Sequence, residues 1–259
     1  ANINHAVIKS FNTEREAYRY VFDNLQEKAD LIPVMVDTYD FKKGLDLFIE
    51  ELKKSESINQ KKFLICIDSG DLKDLSLYSR EILDKNNLQD IGIFVGGNLD
   101  EYKIDKMVTE NIPIDFYGLN TEYVNITDNP RLEIVYKMAQ VKHIDGTVEL
   151  KAKLTKGKES YPGRKQVFRV IKDNKMVEDI IGLEDENLGI PLLKEIIKAG
   201  NVVCDVSDSD FDGIRKVIHE GLEMLDSSYQ DIHNPAAYPV KASEKINNMT
   251  AELIKKHIG

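Results

Sequence analysis

The chain has 259 residues, is 42% hydrophobic and carries a formal net charge of -10. That length can bury a sizeable core, no apolar run approaches the ~20 residues of a membrane-spanning helix, and two cysteines make neither a disulfide framework nor a zinc spacing. The acidity argues against non-specific nucleic-acid binding but not against an anionic substrate held by local amides and a cation, and no signal-peptide pattern opens the sequence, so a soluble cytoplasmic protein is expected.

In chain order, a lone histidine, His5, stands beside Ala6-Val7-Ile8. Without further information such a residue reads as structural. Thr13-Glu14-Arg15-Glu16 is a capping box that predicts a helix to about Lys28. Leu31–Val36 is an apolar run ending in Asp37-Thr38-Tyr39-Asp40. Phe63–Ile67 is a second, ending in Asp68-Ser69-Gly70-Asp71 ahead of the helically spaced Leu72–Arg80. Ile91–Val95 is a third, ending in Gly96-Gly97-Asn98-Leu99-Asp100-Glu101, and Ile112–Tyr117 a fourth, ending in Gly118-Leu119-Asn120-Thr121. Amphipathic segments follow the first three.

This is the rhythm of parallel strands with crossover helices. Polar loops then collect at the carboxyl ends of the strands, where α/β proteins place their chemistry. Two carboxylates with a hydroxyl and an amide between them, as in Asp68-Ser69-Gly70-Asp71, suit a sugar-phosphate with a divalent cation. The alternative is that Asp68 ends a strand, that Ser69 or Asp71 caps a helix, and that the glycines serve tight turns. Cys66, inside its apolar run, reads as core.

Past residue 130 the pattern changes. Ile134–Ala139, Val148–Leu154 and Gln166–Ile171 alternate and are separated by Asp145-Gly146, Tyr161-Pro162-Gly163 and Asp173-Asn174, which predicts antiparallel strands joined by turns. Helices are expected at about Leu192–Lys198, Asp208–Leu225 and Ser243–Lys256. The domains are therefore drawn at 1–130 and 131–259. About five parallel-type strands can be counted, against the eight of a closed βα barrel or about seven of irregular ones.

The strings His5-Ala6-Val7-Ile8-Lys9-Ser10-Phe11, Val36-Asp37-Thr38-Tyr39-Asp40, Asp68-Ser69-Gly70-Asp71-Leu72, Gly97-Asn98-Leu99-Asp100-Glu101-Tyr102, Pro113-Ile114-Asp115-Phe116-Tyr117-Gly118, Val135-Tyr136-Lys137, Pro162-Gly163-Arg164-Lys165-Gln166-Val167-Phe168-Arg169 and Tyr238-Pro239-Val240 occur in this order. In this the chain resembles nicotinate phosphoribosyltransferases, specifically their carboxyl-terminal part. The resemblance implies an α/β fold: an irregular, incomplete βα barrel of the type II phosphoribosyltransferase kind, followed by antiparallel strands and C-terminal helices. It implies transfer of phosphoribose from phosphoribosyl pyrophosphate to nicotinate, coupled to ATP, in NAD biosynthesis.

His5 falls at the position that ATP phosphorylates, with Asp37 and Asp68 as the other catalytic residues. Asp37 and Asp68 would hold ribose hydroxyls and Mg²⁺. Ser69 and the amides of Gly70, Gly96, Gly97, Gly118 and Thr121 would cradle phosphate. A homodimer or a complementing amino-terminal chain is implied as well, because the family's pyridine-binding aromatic and arginines are not found in this sequence, and an incomplete barrel leaves edges to cover.

The departures from the family pattern fall on anion-binding positions. Cys66 stands where the family has arginine, Gly96 where it has serine, and Asn120 and Glu122 occupy a glycine and an arginine position. Cysteine cannot replace the fork of guanidinium donors. The second reading is therefore a non-catalytic relative or fragment that keeps the scaffold as a binding module.

Overall fold

The structure is a computed structural model and describes residues 3–25, 27, 29–55, 62–203 and 211–259. The chain forms two compact units, residues 1–132 and 133–259.

In the first unit, β1 (Ile32–Met35), β2 (Phe63–Ile67), β3 (Gly92–Val95) and β4 (Phe116–Tyr117) make one sheet in the order β1-β2-β3-β4. All three pairings are parallel. The crossovers carry α3 (Phe41–Lys54), α4 (Leu72–Lys85) and α5 (Glu101–Thr109), while α1 (His5–Lys9) and α2 (Glu14–Asn24) precede β1 and the short α6 (Thr121–Asn125) follows β4. Every residue of β2 is buried, as an apolar run between covered faces requires.

Alternate strand residues, Ile32, Val34, Phe63, Ile65, Ile67, Ile93 and Val95, pack with Tyr18, Val21 and Phe22 of α2, Leu45, Phe48 and Leu52 of α3, and Leu83 of α4. The helices thus share one face of the sheet, and each such buried side chain contributes about 1.5–3 kcal/mol. Met35, Leu64, Cys66 and Phe94 fall on the alternate positions, those of the opposite face.

Caps set the helix starts. The side chains of Thr13, Asp40, Asp71 and Asp100 accept hydrogen bonds from the amides of Glu16, Lys43, Asp74 and Lys103. The capping box at Thr13 therefore works as read, although α2 stops at Asn24 and Lys28 lies outside the described residues. Gly44 lets α3 approach β1: a Cβ there would stand 2.0 Å from the carbonyl oxygen of Val36.

The sheet is open and four-stranded; no closed barrel forms among the described residues. A fifth parallel strand is reduced to one bridge, Ile3 to Val34. Ile112–Tyr117 yields only two strand residues, because Pro113 has no N–H to offer a ladder and the chain turns locally with Ile114 N–H bonded to the Ile112 carbonyl.

In the second unit, β7 (Lys165–Lys172) and β8 (Lys175–Leu183) form the expected hairpin. Asp173 and Asn174 turn it with φ of 48° and 59°, the left-handed pair a type I′ turn demands. Asp145-Gly146 likewise joins β5 (Gln140–Lys142) to β6 (Val148–Leu150). β9 (Ile190–Pro191) and β12 (Val240–Ala242) complete a sheet ordered β12-β8-β7-β9. β12 runs parallel to β8, so this unit is not purely antiparallel. Helices α7 (Phe211–Met224) and α8 (Glu244–His257) follow, α8 capped by Ser243.

Two expectations fail here. Ile134–Ala139 is not a strand. It has no ladder partner among the described residues, and Ile134 is 84% and Tyr136 95% exposed; a strand with unpaired amides gains nothing over solvated coil. Leu192–Lys198 is not a helix. Gln166 grips Leu193 through both its N–H and its carbonyl, and β10 (Ile197–Lys198) turns back on β11 (Asn201–Val202) through Ala199 and Gly200, both at positive φ. Cys204 and the start of the helix expected from Asp208 lie outside the described residues.

Candidate functional site

Ile3 is the anchor that delivers His5. Its N–H bonds the Pro33 carbonyl at 2.8 Å and its carbonyl accepts from Met35 N at 3.0 Å. The chain next to it then turns, with Asn4 capping α1, and His5 comes to rest over the carboxyl end of β1. There its Nδ1 lies 3.0 Å from Thr38 Oγ1. Its Nε2 lies 3.2 Å from Asp68 Oδ1 and 3.8 Å from Asp37 Oδ1.

Asp37 is fixed from the other side. Its Oδ2 accepts from Asp68 N at 3.2 Å and from Ser69 Oγ at 2.7 Å. The Asp37 side chain is only 4% exposed. Its Oδ1 is buried and has no hydrogen-bond partner. His5, Asp37 and Asp68 offer three ligand atoms all within 4.8 Å of one another. A buried carboxylate oxygen left without a donor is costly, and the donor set of one imidazole and two carboxylates fits a divalent cation.

The local charge is felt by a neighbour. Burial, and then the nearby Asp37 and Asp68, push the Cys66 thiol up to about 12. Cys66 is fully buried and its thiol disfavours the nucleophilic thiolate, so it serves as core.

The remaining sequence candidates divide. Asp71 is a helix cap, as the alternative reading had it, whereas Asp68 and Ser69 join the His5 cluster. Gly97, at φ of 96°, lies against Asp68: a Cβ there would be 2.9 Å from the Asp68 carbonyl oxygen. Gly96 is on the same side, its position 3.4 Å from the Asp68 Cβ by the same construction. Gly70 turns at φ of 83°.

Three of the five candidate amides are already engaged: Gly96 N–H with Ile67 O, Gly118 N–H with Val95 O, and Thr121 N–H with the Asn120 side chain. Glu122 bonds the Thr127 hydroxyl. It lines a cavity of about 560 Å³ with Asp100, Glu101, Tyr102 and Asp128, which includes none of the His5 cluster. Thr38 was not singled out from the sequence. The signal was present, a hydroxyl directly after a strand-end acid, but its partner is 33 residues away.

Residues 189–250 match the nicotinate phosphoribosyltransferase C-terminal domain family. The chain is 32% identical over 251 residues to nicotinate phosphoribosyltransferase pncB2 of Mycobacterium tuberculosis, covering 96% of this chain and 52% of that protein. It is 28% identical over 270 residues to the nicotinate phosphoribosyltransferase of Bacillus subtilis, covering 93% of this chain and 53% of that protein. The chain thus spans about half the length of the curated relatives it matches. Among solved structures, human nicotinic acid phosphoribosyltransferase superposes with a TM-score of 0.63 at 18% identity, covering 93% of this chain and 49% of that one. The nicotinate-nucleotide pyrophosphorylase of Pyrococcus furiosus does so with 0.60 at 24% identity, covering 86% and 53%; at these identities the likeness is one of fold. The resemblance read from the motifs is borne out: the matching family model and the curated relatives all carry the name nicotinate phosphoribosyltransferase.

Proposed function

We propose that this chain, a relative of nicotinate phosphoribosyltransferases, is the part of such an enzyme that handles phosphoribosyl pyrophosphate and the phosphorylated histidine in NAD biosynthesis. The observation that carries the proposal is the convergence of His5, Asp37 and Asp68 from three separated segments on one end of a parallel sheet. The one-sided packing of helices on that sheet supports the finer reading of a barrel sector of the type II kind. Nicotinate would be held by a region matching the relatives' other half, or by a second chain. Within this reading the protein is cytoplasmic; no helix among the described residues is long and apolar enough to cross a membrane.

His5 is placed to act as a nucleophile. With its proton on Nδ1 and donated to Thr38, Nε2 presents a lone pair to the γ-phosphoryl group of ATP. Asp37 and Asp68 bear on the ribose, where C1 becomes cationic as the bond to pyrophosphate breaks; fixed carboxylates there favour the charge. Ser69 holds Asp37 in that orientation. Gly70 and Gly97 give their loops the positive φ that brings backbone amides near a phosphate. Mg²⁺, held by Asp37 and Asp68, would neutralise the departing pyrophosphate.

A second reading keeps the scaffold without catalysis. It is favoured by Asn120, whose side chain occupies the Thr121 amide where a phosphate would otherwise bind.

Calorimetry of phosphoribosyl pyrophosphate with and without Mg²⁺ separates the two. The wild-type chain is expected to bind in a Mg²⁺-dependent way, and Asp68→Asn to lose that binding with the fold unchanged by circular dichroism. Absence of binding by the wild type favours the scaffold, and equal binding by the variant overturns the site. Product formation from nicotinate, phosphoribosyl pyrophosphate, ATP and Mg²⁺ is expected only when the matching amino-terminal region of a relative is supplied.

A further inference from the structure

The unpartnered Oδ1 of Asp37 has a direct consequence for what the cleft binds. It is sealed from water, aimed toward His5 Nε2 at 3.8 Å, and has no donor to neutralise it. Asp68 Oδ1 approaches the same nitrogen at 3.2 Å, and the three atoms lie within 4.8 Å of one another. Neighbouring ligands of a small cation stand about 3–4 Å apart, given metal–ligand bonds of about 2.0–2.2 Å. The three atoms are therefore nearly at coordination spacing already.

Each ligand except Asp68 has its second atom held. His5 Nδ1 is on the Thr38 hydroxyl, and Asp37 Oδ2 is on Ser69 Oγ and the Asp68 amide. That is the outer-shell support typical of metal-binding imidazoles and carboxylates.

We propose that His5, Asp37 and Asp68 together form a three-ligand site for a first-row transition cation, one of the Co²⁺ or Zn²⁺ class, held directly through His5 Nε2. This goes beyond a Mg²⁺ ion that serves pyrophosphate. Mg²⁺ takes oxygen ligands and dehydrates reluctantly, whereas an imidazole nitrogen draws the transition ions. Thr38 serves as the switchable partner: its hydroxyl donates to Nδ1 when Nε2 carries the proton, and accepts from Nδ1–H when Nε2 is bound to an ion. A coordinated Nε2 has no lone pair for a phosphoryl group, so such an ion and phosphorylation of His5 exclude each other.

The inference does not depend on the transferase reading, since the ion is titrated with no nucleotide or sugar-phosphate present. Calorimetry of the whole chain with Co²⁺, Zn²⁺ and Mg²⁺ in turn is the test. Co²⁺ or Zn²⁺ is expected to bind one per chain and at least tenfold more tightly than Mg²⁺. His5→Ala should weaken Co²⁺ at least tenfold and move Mg²⁺ less than twofold, while Asp37→Asn weakens both. Thr38→Val should cost Co²⁺ about 10–100-fold, the usual effect of removing an outer-shell partner, and Thr38→Ser should restore it.

The exposed pairs His143–Glu149 and His219–Glu223 are the competing sites, so the one-to-one event must survive in a His143→Ala, His219→Ala chain. Should a variant fail to fold, nitrogen NMR of the wild type still decides, because Zn²⁺ must shift Nε2 of His5. Binding of Co²⁺ no tighter than Mg²⁺, insensitivity to His5→Ala, or an unmoved Nε2 overturns the proposal and leaves the phosphoribosyl pyrophosphate test unaffected.

Discussion

The Ser69 hydroxyl donates a 2.7 Å hydrogen bond to Oδ2 of Asp37, tying the loop after β2 to the loop after β1. The Asp68 amide reinforces the tie at 3.2 Å. Together they turn the other oxygen of Asp37 toward His5 and fix the carboxylate without neutralising it. Ser69→Ala should lower the melting temperature by only about 2–4 °C, because the lost bond lies at an exposed hydroxyl and is worth about 1 kcal/mol. It should weaken Mg²⁺-dependent binding of phosphoribosyl pyrophosphate about fivefold to tenfold, since that same energy now orients the ligand site. Calorimetry on the variant checks both the sign and the size.

Gly44→Ala should destabilise the first unit by about 1–3 kcal/mol, toward the upper figure. The added methyl would meet the Val36 carbonyl oxygen, which is backbone and cannot rotate away. Val36 directly precedes Asp37, so the shift is expected to displace the carboxylate as well. Urea unfolding followed by circular dichroism reads the first effect, and loss of cation binding in the folded variant reads the second.

Glu14 is buried at the start of α2, and its Oε1 has no hydrogen-bond partner. Burial, then the charges of Asp40 and Asp37, raise its pKa above the ordinary 4.5. A carboxyl with a raised folded pKa favours folding while both states are protonated, and that contribution is lost as pH rises from the unfolded value through the folded one. Glu14→Gln should therefore stabilise the chain at neutral pH and flatten the decline in stability above pH 4.5. Melting curves of wild type and variant across that window are the measurement.

Glu51 behaves in the opposite sense. Burial alone would push it up, but hydrogen bonds from Lys54, Arg15 and Arg19 outweigh that and hold it at about 2. Its stabilising contribution is present above the ordinary 4.5 and is lost as pH falls toward 2. Glu51→Gln should destabilise the α2–α3 contact by about 2 kcal/mol at neutral pH, from loss of charged hydrogen bonds. It should also make acid unfolding less steep. Acid titration monitored by circular dichroism would show no change in slope if the network were merely decorative.

Apolar side chains of two segments in the second unit are left facing water. Ile134 and Tyr136 are exposed in one; Phe211, Ile214, Val217 and Ile218 are exposed along α7. Apolar side chains exposed together along one helix are the kind of surface that marks an interaction site. Light scattering on the isolated chain should report a dimer, a larger assembly or aggregation. Ile214→Glu with Ile218→Glu should shift the population toward monomer.

The parts of the fold legible in the sequence are those with a local cause. β2 coincides with its apolar run because five consecutive buried residues leave no other reading. The helix starts follow from side chains three residues from the amides they cap. Leu192–Lys198 was misread because its helical spacing is real, and only the distant Gln166 and the Ala199-Gly200 turn override it. The His5 cluster was legible in its members through family resemblance. The His5–Thr38 and Ser69–Asp37 bonds were not, since each joins residues more than thirty positions apart.

The second unit carries a constraint on the order in which it can fold. Arg169 on β7 grips Asp179 on β8 with two hydrogen bonds, and Tyr238 adds a third from a segment 59 residues beyond Asp179. The β7–β8 hairpin is local and can form on the microsecond scale of hairpins. The parallel partner β12 cannot join until the intervening loop closes, a non-local step that slows folding. During synthesis the hairpin would thus emerge with one edge of β8 bare, and that edge stays open to wrong partners until Val240 arrives. The vulnerability of this protein to misassembly therefore lies in time as much as in sequence, in the interval between those two strands.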